Sequence, residues 1–416
     1  MKIKIPVPKP IKLLSKTLNE PIYLVGGYVR DFILYGKAPK DVDFCAPIPV
    51  DKIKKVCASL SIKIVAEYKK TGTLKLRYKD EEFEYTAFRT EKYSSGGNHT
   101  PKQVEFTSDI LLDAKRRDFK CNAIYYEVSS DKIVDCLGGL LDLENGVLST
   151  AISPEEVFMH DGLRLLRFAR FSAKHALTPK KEVVLAVKKY RNLIYDVSPE
   201  RIKEELSKIL SEREDLCLKG LALLIKTGVL KAIFGKNGTV IGEANFPVIV
   251  SKTSRVLRLF TLIYLYEIDA DKITLALERL KVSRQEIKAF LPVINLLSSF
   301  FSGRKTDKEI RRLILDNFYS FSAFYEIAGS IALGKKRFSL RLEKWTDFRQ
   351  KIIKKGTPIT VFDLEISAKE LIDLGVEPKR VKTVLNFLLS YCQDRPKDNL
   401  KTRLKTLALK FTKSYN

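Results

Sequence analysis

Asp41 and Asp43 stand two apart in Asp41-Val42-Asp43, ten residues after Leu24-Val25-Gly26-Gly27-Tyr28-Val29-Arg30-Asp31. Carboxylates at i and i+2 of a strand share one face. Two carboxylates beside a phosphate site are what divalent ions need to clamp the attacking and leaving oxygens of a phosphoryl transfer. Mg²⁺ favours carboxylate, water and phosphate oxygens. Gly26 and Gly27 let the backbone come close to a ligand. The helix that follows offers N–H groups to phosphate, and Arg30 adds a guanidinium fork. A Gly-Gly turn or an Asp-x-Asp pair alone is often a plain loop feature. Their joint occurrence at this spacing carries the reading.

Two more constellations follow. Arg116-Arg117-Asp118-Phe119-Lys120-Cys121-Asn122-Ala123, preceded by Asp113, sets two guanidiniums and the Asn122 amide beside a strand. Such a set can grip a triphosphate or form a solvated basic turn. Asp161 and Arg164 open the run Asp161-Gly162-Leu163-Arg164-Leu165-Leu166-Arg167-Phe168-Ala169-Arg170. On one helix they are neighbours at i and i+3. A carboxylate accepts from an exocyclic amino group while a guanidinium donates to a ring nitrogen, which suits cytosine and adenine alike. Uracil and guanine leave polar groups unpaired, at about 1–3 kcal/mol each. Arg167 and Arg170 would lie towards phosphate or acceptor RNA. A surface salt bridge on a basic helix is the plain alternative. Glu84, on a strand, is a candidate third acid.

The elements that must position these residues divide in two. Ile22–Val25, Val42–Cys45, Ser61–Glu67, Thr73–Tyr78, Glu82–Phe88, Val104–Thr107, Ala123–Val128 and Ile133–Val134 read as strands, and Val29–Leu34 as a helix. Ser94-Ser95-Gly96-Gly97-Asn98 reads as a loop. From Ser153-Pro154-Glu155-Glu156, a helix start repeated at Ser198-Pro199-Glu200, i, i+3, i+4 spacing takes over. The expectation is an α+β head at 1–150, a helical neck at 151–215, a helical body at 216–300 and a helical tail at 301–416.

The ordered motifs resemble the bacterial-type (class II) tRNA CCA-adding enzymes and poly(A) polymerases, within the polymerase-β-like nucleotidyltransferases. Gly26-Gly27-Tyr28-Val29-Arg30-Asp31 with Asp41-Val42-Asp43-Phe44 looks like the family's active-site signature. Arg116–Ala123 is similar to its RRDFTxNA block, with Lys120 where Thr is usual. Glu84, Phe88–Tyr93 and the 94–101 loop resemble its flexible loop. Asp135–Leu143 resembles a linking turn, and Ser198–Leu206 a neck block read as structural support. The family usually has Glu where His160 stands, so selectivity or its pH dependence differs, or His160 makes a substitute hydrogen bond. The resemblance covers most of 21–210 and, faintly, the last fifty or so residues.

It implies a head of mixed sheet and helices, followed by all-α neck, body and tail. It implies Asp41 and Asp43 as catalytic Mg²⁺ ligands. Gly26, Gly27, Arg30, Arg116, Arg117, Asn122, Asp161, Arg164, Arg167 and Arg170 become nucleotide-binding residues. The activity implied is template-free addition of CCA to tRNA from CTP and ATP, with the tRNA acceptor end and elbow as partners. A partial CC- or A-adding enzyme, a poly(A) polymerase, or a catalytically retired RNA-binding protein are the alternatives.

Composition agrees with an RNA partner. The 416 residues carry 75 Lys+Arg against 50 Asp+Glu, a net charge of +25. Such a surplus bears on partners and solubility rather than fold. A hydrophobic fraction of 45% excludes a disordered chain. No apolar run is long enough to span a bilayer. Six scattered Cys without CxxC and three His without HxxxH make a zinc site improbable and suggest a reducing compartment. The N-terminus lacks a signal-peptide apolar stretch, and a cytoplasmic location is expected.

Overall fold

The computed structural model describes residues 4–93, 101–235, 243–267 and 269–413. The chain forms two compact units: Met1–Ser251 with Leu265–Glu267 and Arg279–Lys281, and Lys252–Tyr264, Ile268–Glu278 and Val282–Asn416.

The first unit is built on strands β1 (Tyr23–Val25), β2 (Val42–Ala46), β3 (Lys63–Tyr68), β4 (Thr73–Tyr78), β5 (Glu81–Ala87), β6 (Arg89–Lys92), β7 (Gln103–Phe106), β8 (Ile124–Glu127) and β9 (Lys132–Asp135). Seven form a mixed sheet in the order β3-β4-β5-β2-β1-β8-β9. The β2–β5 pair is parallel, and the other five pairings in the sheet are antiparallel. A separate antiparallel hairpin joins β6 to β7. The expected strands are therefore present, each within a residue or two of its reading. The segment 94–100 lies outside the described residues.

Helices α1 (Lys9–Leu18), α2 (Gly27–Tyr35), α3 (Val50–Ser59), α4 (Ile110–Lys115) and α5 (Gly139–Glu144) accompany the sheet. α2 packs on β1, β2 and β8. This contact explains why Tyr28, Val29 and Arg30 are buried although the helix is short. The sheet's centre is fully apolar: Leu24, Phe44, Cys45, Leu74, Leu76, Tyr85 and Ile124 are at most 1% exposed. The burial of β2 breaks at Asp43 alone, where the strand turns a carboxylate out of the core.

Helices α6 (Pro154–His160), α7 (Arg164–Lys174), α8 (Lys181–Tyr190), α9 (Pro199–Leu210) and α10 (Glu214–Thr227) follow. Ser153 caps α6, its hydroxyl accepting from the Glu156 N–H, with Pro154 at the first position. α7 packs against α9 and α10. Leu165, Leu166, Phe168 and Ala169 are wholly buried, so α7 crosses the centre of this bundle.

The second unit is helical. Its helices 284–301, 307–316 and 368–373 each begin with a capping box: Ser283–Glu286, Thr306–Glu309 and Ser367–Glu370. Trp345 packs edge-on against Phe300 and tilted on Phe324 in one core. Leu371, Val384, Leu388, Cys392, Leu404 and Ala408 form another. Among the described residues no helix is long and apolar enough to cross a membrane.

Candidate active site

β2 lies between β1 and β5, and its register brings three segments together. Asp43 pairs with Val25, next to Gly26, on one side and with Glu84 on the other. Gly26 adopts φ 70° and ψ −135°, a conformation open essentially to glycine. A Cβ at Gly26 would stand 3.5 Å from Asp43 Oδ2, so the turn and the carboxylate are neighbours. Asp41 precedes β2 and is exposed.

Asp43 touches solvent inside an open cavity but is otherwise walled by protein. That enclosure, with the Glu84 and Asp41 carboxylates alongside, pushes its pKa up to about 6, while Arg117 and Arg167 pull the other way. Crowded carboxylates short of positive charge fit a divalent cation. Among the described residues no three Asp, Glu, His or Cys are placed to hold an ion by themselves. Substrate phosphates and water would have to complete a Mg²⁺ shell, which is that ion's habit.

The cavity has a volume of about 1020 Å³. It is lined by Gly26, Gly27 and Arg30 from the β1–α2 turn, by Asp41 just before β2, and by Asp43 and Glu84 from β2 and β5. Arg116, Arg117 and Asn122 reach it from the segment before β8, and Asp161, Arg164, Arg167 and Arg170 from the α6–α7 corner. Every residue singled out from the sequence for chemistry thus faces one space.

The cations are held by buried acids. Asp113, 0% exposed, accepts from Arg116 Nε at 2.8 Å, Arg117 Nη2 at 3.0 Å and the Tyr125 hydroxyl at 2.7 Å. Burial alone would raise the Asp113 pKa, but the two guanidiniums outweigh it and hold it well below the carboxylate range. Asp118 does the same for Arg167, 2.7 Å from Nη2, and accepts from Asn122 Nδ2 at 2.8 Å. Arg167 and Arg164 overcome the burial of Asp118 and take its pKa down to about 2. Asn122 Oδ1 in turn accepts from Arg30 Nη1 at 2.5 Å, and Asp31 accepts from Arg30 Nε at 2.7 Å. The guanidiniums of Arg30, Arg167 and Arg170 lie 4.9, 4.9 and 4.3 Å from the centre of one ring, Phe171. The block Arg116–Asn122 is thus no solvated turn.

One expectation is corrected. Asp161 and Arg164 do not share a helix: α6 ends at His160, Asp161 is extended at φ −154°, and α7 begins at Arg164. Gly162 lets the chain turn here, since a Cβ would collide with the Leu193 carbonyl. Asp161 is gripped by Arg201, with Nη2 donating at 2.8 Å and Nη1 at 3.3 Å, and accepts from the Leu163 N–H at 3.0 Å. Arg164 donates to the carbonyls of Val157 at 3.2 Å and Arg116 at 2.8 Å. Both side chains are under 10% exposed. They are set separately, by different partners, into the same cavity wall. Of the two readings of His160, the substitute hydrogen bond is not seen at Nδ1, which is buried without a partner.

Sequence reasoning passed over Asp118, Arg201 and the Arg89–Glu91–Tyr93 run as site residues. All five line the cavity. Asp118 stood inside a quoted motif, and Arg201 inside the Ser198–Leu206 block read as support. Arg89, Glu91 and Tyr93 stood inside Phe88–Tyr93, read as flexible-loop sequence; the Glu91 side chain is 6% exposed and paired with Arg89 at 2.6 Å.

Residues 22–149 match the model of the Poly A polymerase head domain, and residues 176–236 that of the probable RNA and SrmB-binding site of polymerase A. The CCA-adding enzyme of Bacillus subtilis (strain 168) is 32% identical over 249 residues, 59% of this chain and 60% of that enzyme. The matched segments resemble the poly(A) polymerase and CCA-adding enzyme family, and the chain spans less than two thirds of the length of that relative. The fold of solved CCA-adding enzymes extends over nearly all of the chain. The Bacillus stearothermophilus CCA-adding enzyme in complex with CTP superposes with a TM-score of 0.68 at 20% identity, covering 98% of this chain and 99% of that one. The Thermotoga maritima CCA-adding enzyme complexed with tRNA gives 0.65 at 18% identity, covering 97% and 96%. The family's head is the mixed sheet that carries Asp41 and Asp43.

Proposed function

We propose that this protein adds CCA to the 3′ end of tRNA from CTP and ATP, without a nucleic-acid template, releasing pyrophosphate. The observation that carries the reading is that Asp41 and Asp43 share one cavity with Asp161 and Arg164. The residues that suit phosphoryl transfer thus face those that suit reading a base. The similarity to CCA-adding enzymes, one solved with CTP and one with tRNA, supports this choice of substrates.

Asp41 and Asp43 would hold Mg²⁺, which would neutralise phosphate charge and favour the deprotonated 3′-hydroxyl. The 3′-oxygen bonds to the α-phosphorus, its proton leaves, and the bond to pyrophosphate breaks. The protein contributes position and charge. Arg30, Arg116 and Arg117, with the N–H groups at Gly26 and Gly27, hold the triphosphate. Buried Asp113, Asp118 and Asn122 keep those guanidiniums oriented before substrate arrives. Asp161 accepts from the base amino group and Arg164 donates to the ring nitrogen. A guanidinium has five donors, so two carbonyl bonds fix the Arg164 fork and leave donors for the base. Arg167 and Arg170 serve the triphosphate or the acceptor strand. Glu84 stands as a third acid beside Asp43. The helical neck, body and tail take the tRNA acceptor end and elbow as a shape. A cytoplasmic location fits this substrate.

The test supplies tRNA ending at the discriminator base with Mg²⁺ and CTP, ATP or both, and sizes the products. Three added residues followed by a stop support the proposal. Two C, one A or an extended ladder would point instead to a partial enzyme or a poly(A) polymerase.

A further inference from the structure

His160, at the end of α6, and Tyr93, just past β6, come from elements far apart in sequence. Their rings stack with centroids 4.6 Å apart and planes 17° off parallel. Tyr93 lines the cavity, and His160 is joined by a peptide bond to Asp161. The stack also closes a circuit of contacts. The Tyr93 hydroxyl donates to Glu91, and Glu91 is paired with Arg89 at 2.6 Å. The Arg89 N–H donates to Asp113 at 3.4 Å, and Asp113 holds Arg116 at 2.8 Å. The Arg116 carbonyl accepts from Arg164 at 2.8 Å, and the Arg164 N–H donates to the Asp161 carbonyl at 3.0 Å. Asp161 and Arg164 are therefore reached from both ends of one loop through the β6–β7 hairpin, α4 and the α6–α7 corner. The other links are polar bonds or covalent chain. The aromatic stack is the link between the hairpin and the residue next to Asp161.

Nothing else at His160 does this work. Its Nδ1 is buried without a hydrogen-bond partner. Keeping an unpaired ring nitrogen there costs stability, and no hydrogen bond at that atom holds the ring in place. A flat ring is what the position uses.

We propose that His160 and Tyr93 are positioning residues for base selection: their stack fixes the spacing of Asp161 and Arg164 and so sets discrimination of C and A against U and G. The inference rests on the proposed nucleotidyl transfer and names what tunes it.

The experiment compares single-nucleotide addition of CTP and UTP to tRNA lacking CCA, as the ratio of kcat/KM values, for the full-length protein and four variants. In His160→Ala and Tyr93→Ala the CTP/UTP ratio falls about tenfold, near the upper end for one aromatic pair. The double variant loses no more than either single one, because one contact is being removed. His160→Phe keeps the stack and keeps the ratio. A residue that only supports folding would lower both kcat/KM values in parallel and leave the ratio alone. An unchanged ratio in both alanine variants, additive losses in the double variant, or failure of His160→Phe to retain the ratio would each overturn the proposal. Failure of the wild type to extend the tRNA at all would refute the transferase reading instead.

Discussion

At the scale of single residues, buried acids govern the cavity's cations. Asp113 is wholly buried beneath Arg116 and Arg117, so Asp113→Asn leaves both guanidiniums without their counter-charge. Breaking a buried pair from one side costs about 3–5 kcal/mol. Urea unfolding should show a loss of that order, with weakened CTP binding. His175 offers a prediction in pH. Burial, then Arg30, Lys174 and Arg170, push its pKa from 6.5 down to about 2. The folded protein thus refuses a proton that the unfolded chain takes up below about pH 6.5. Its contribution to stability is whole above that pH and declines as pH falls towards 2, by up to ~1.4 kcal/mol per pH unit. His175→Gln, which cannot take up that proton, should flatten the stability slope between about pH 6.5 and 5, where ordinary carboxylates contribute little and Asp43, with its pKa raised to about 6, titrates in both proteins alike. An unchanged slope would show that His175 takes its proton when folded.

Between residues and the whole molecule, the elements decide which motifs meet. Asp41, Asp43 and the Gly26-Gly27 turn were legible because strand periodicity and glycine chemistry act over a few residues. Arg116, Arg117 and Asn122 were legible as a cluster, but their buried acids were not. Asp113 was visible as a neighbour of Arg116 and Arg117 in sequence, but its full burial and its Tyr125 contact come from tertiary packing. The Asp161–Arg164 arrangement was misread for a related reason. A three-residue spacing looks helical, whereas Gly162 and the Leu193 carbonyl place a corner there. Gly162→Ala tests that corner. Its Cβ would press on backbone that cannot rotate away, at about 1–3 kcal/mol for overpacking. Thermal melting should show the destabilisation. At a temperature where the variant is folded, CTP binding should fall further than in an alanine variant of the exposed neck residue Leu185. Equal CTP affinity in the two would detach the corner from base reading.

For the whole molecule, the surplus of 25 positive charges splits into two kinds. Arg30, Arg116, Arg117, Arg164, Arg167 and Arg170 are directed into one cavity. Others lie outside it, such as Lys379, Lys397, Lys401 and Arg403 in the second unit. Lys379 pairs with Glu377 and Lys401 with Glu370, but exposed pairs of this kind contribute about 0–1 kcal/mol and exchange readily for phosphate. Binding of tRNA should therefore be steeply salt-dependent. A footprint of 6–10 phosphates loses about a thousandfold or more in affinity between roughly 50 and 200 mM salt. Filter binding across that range checks it, and a flat profile would mean the outer cations do not meet RNA.

The central claim is that one cavity both transfers the nucleotide and chooses it. The most direct measurement sizes the products formed on tRNA lacking CCA, with Mg²⁺, CTP and ATP together, by the wild type, Asp41→Ala and Asp161→Ala. Three added residues and a stop are expected of the wild type. No extension is expected of Asp41→Ala, and of Asp161→Ala extension that is slow and admits U or G when UTP or GTP is supplied. Wild-type extension no better than that of Asp41→Ala, or unaltered base choice in Asp161→Ala, would contradict the claim.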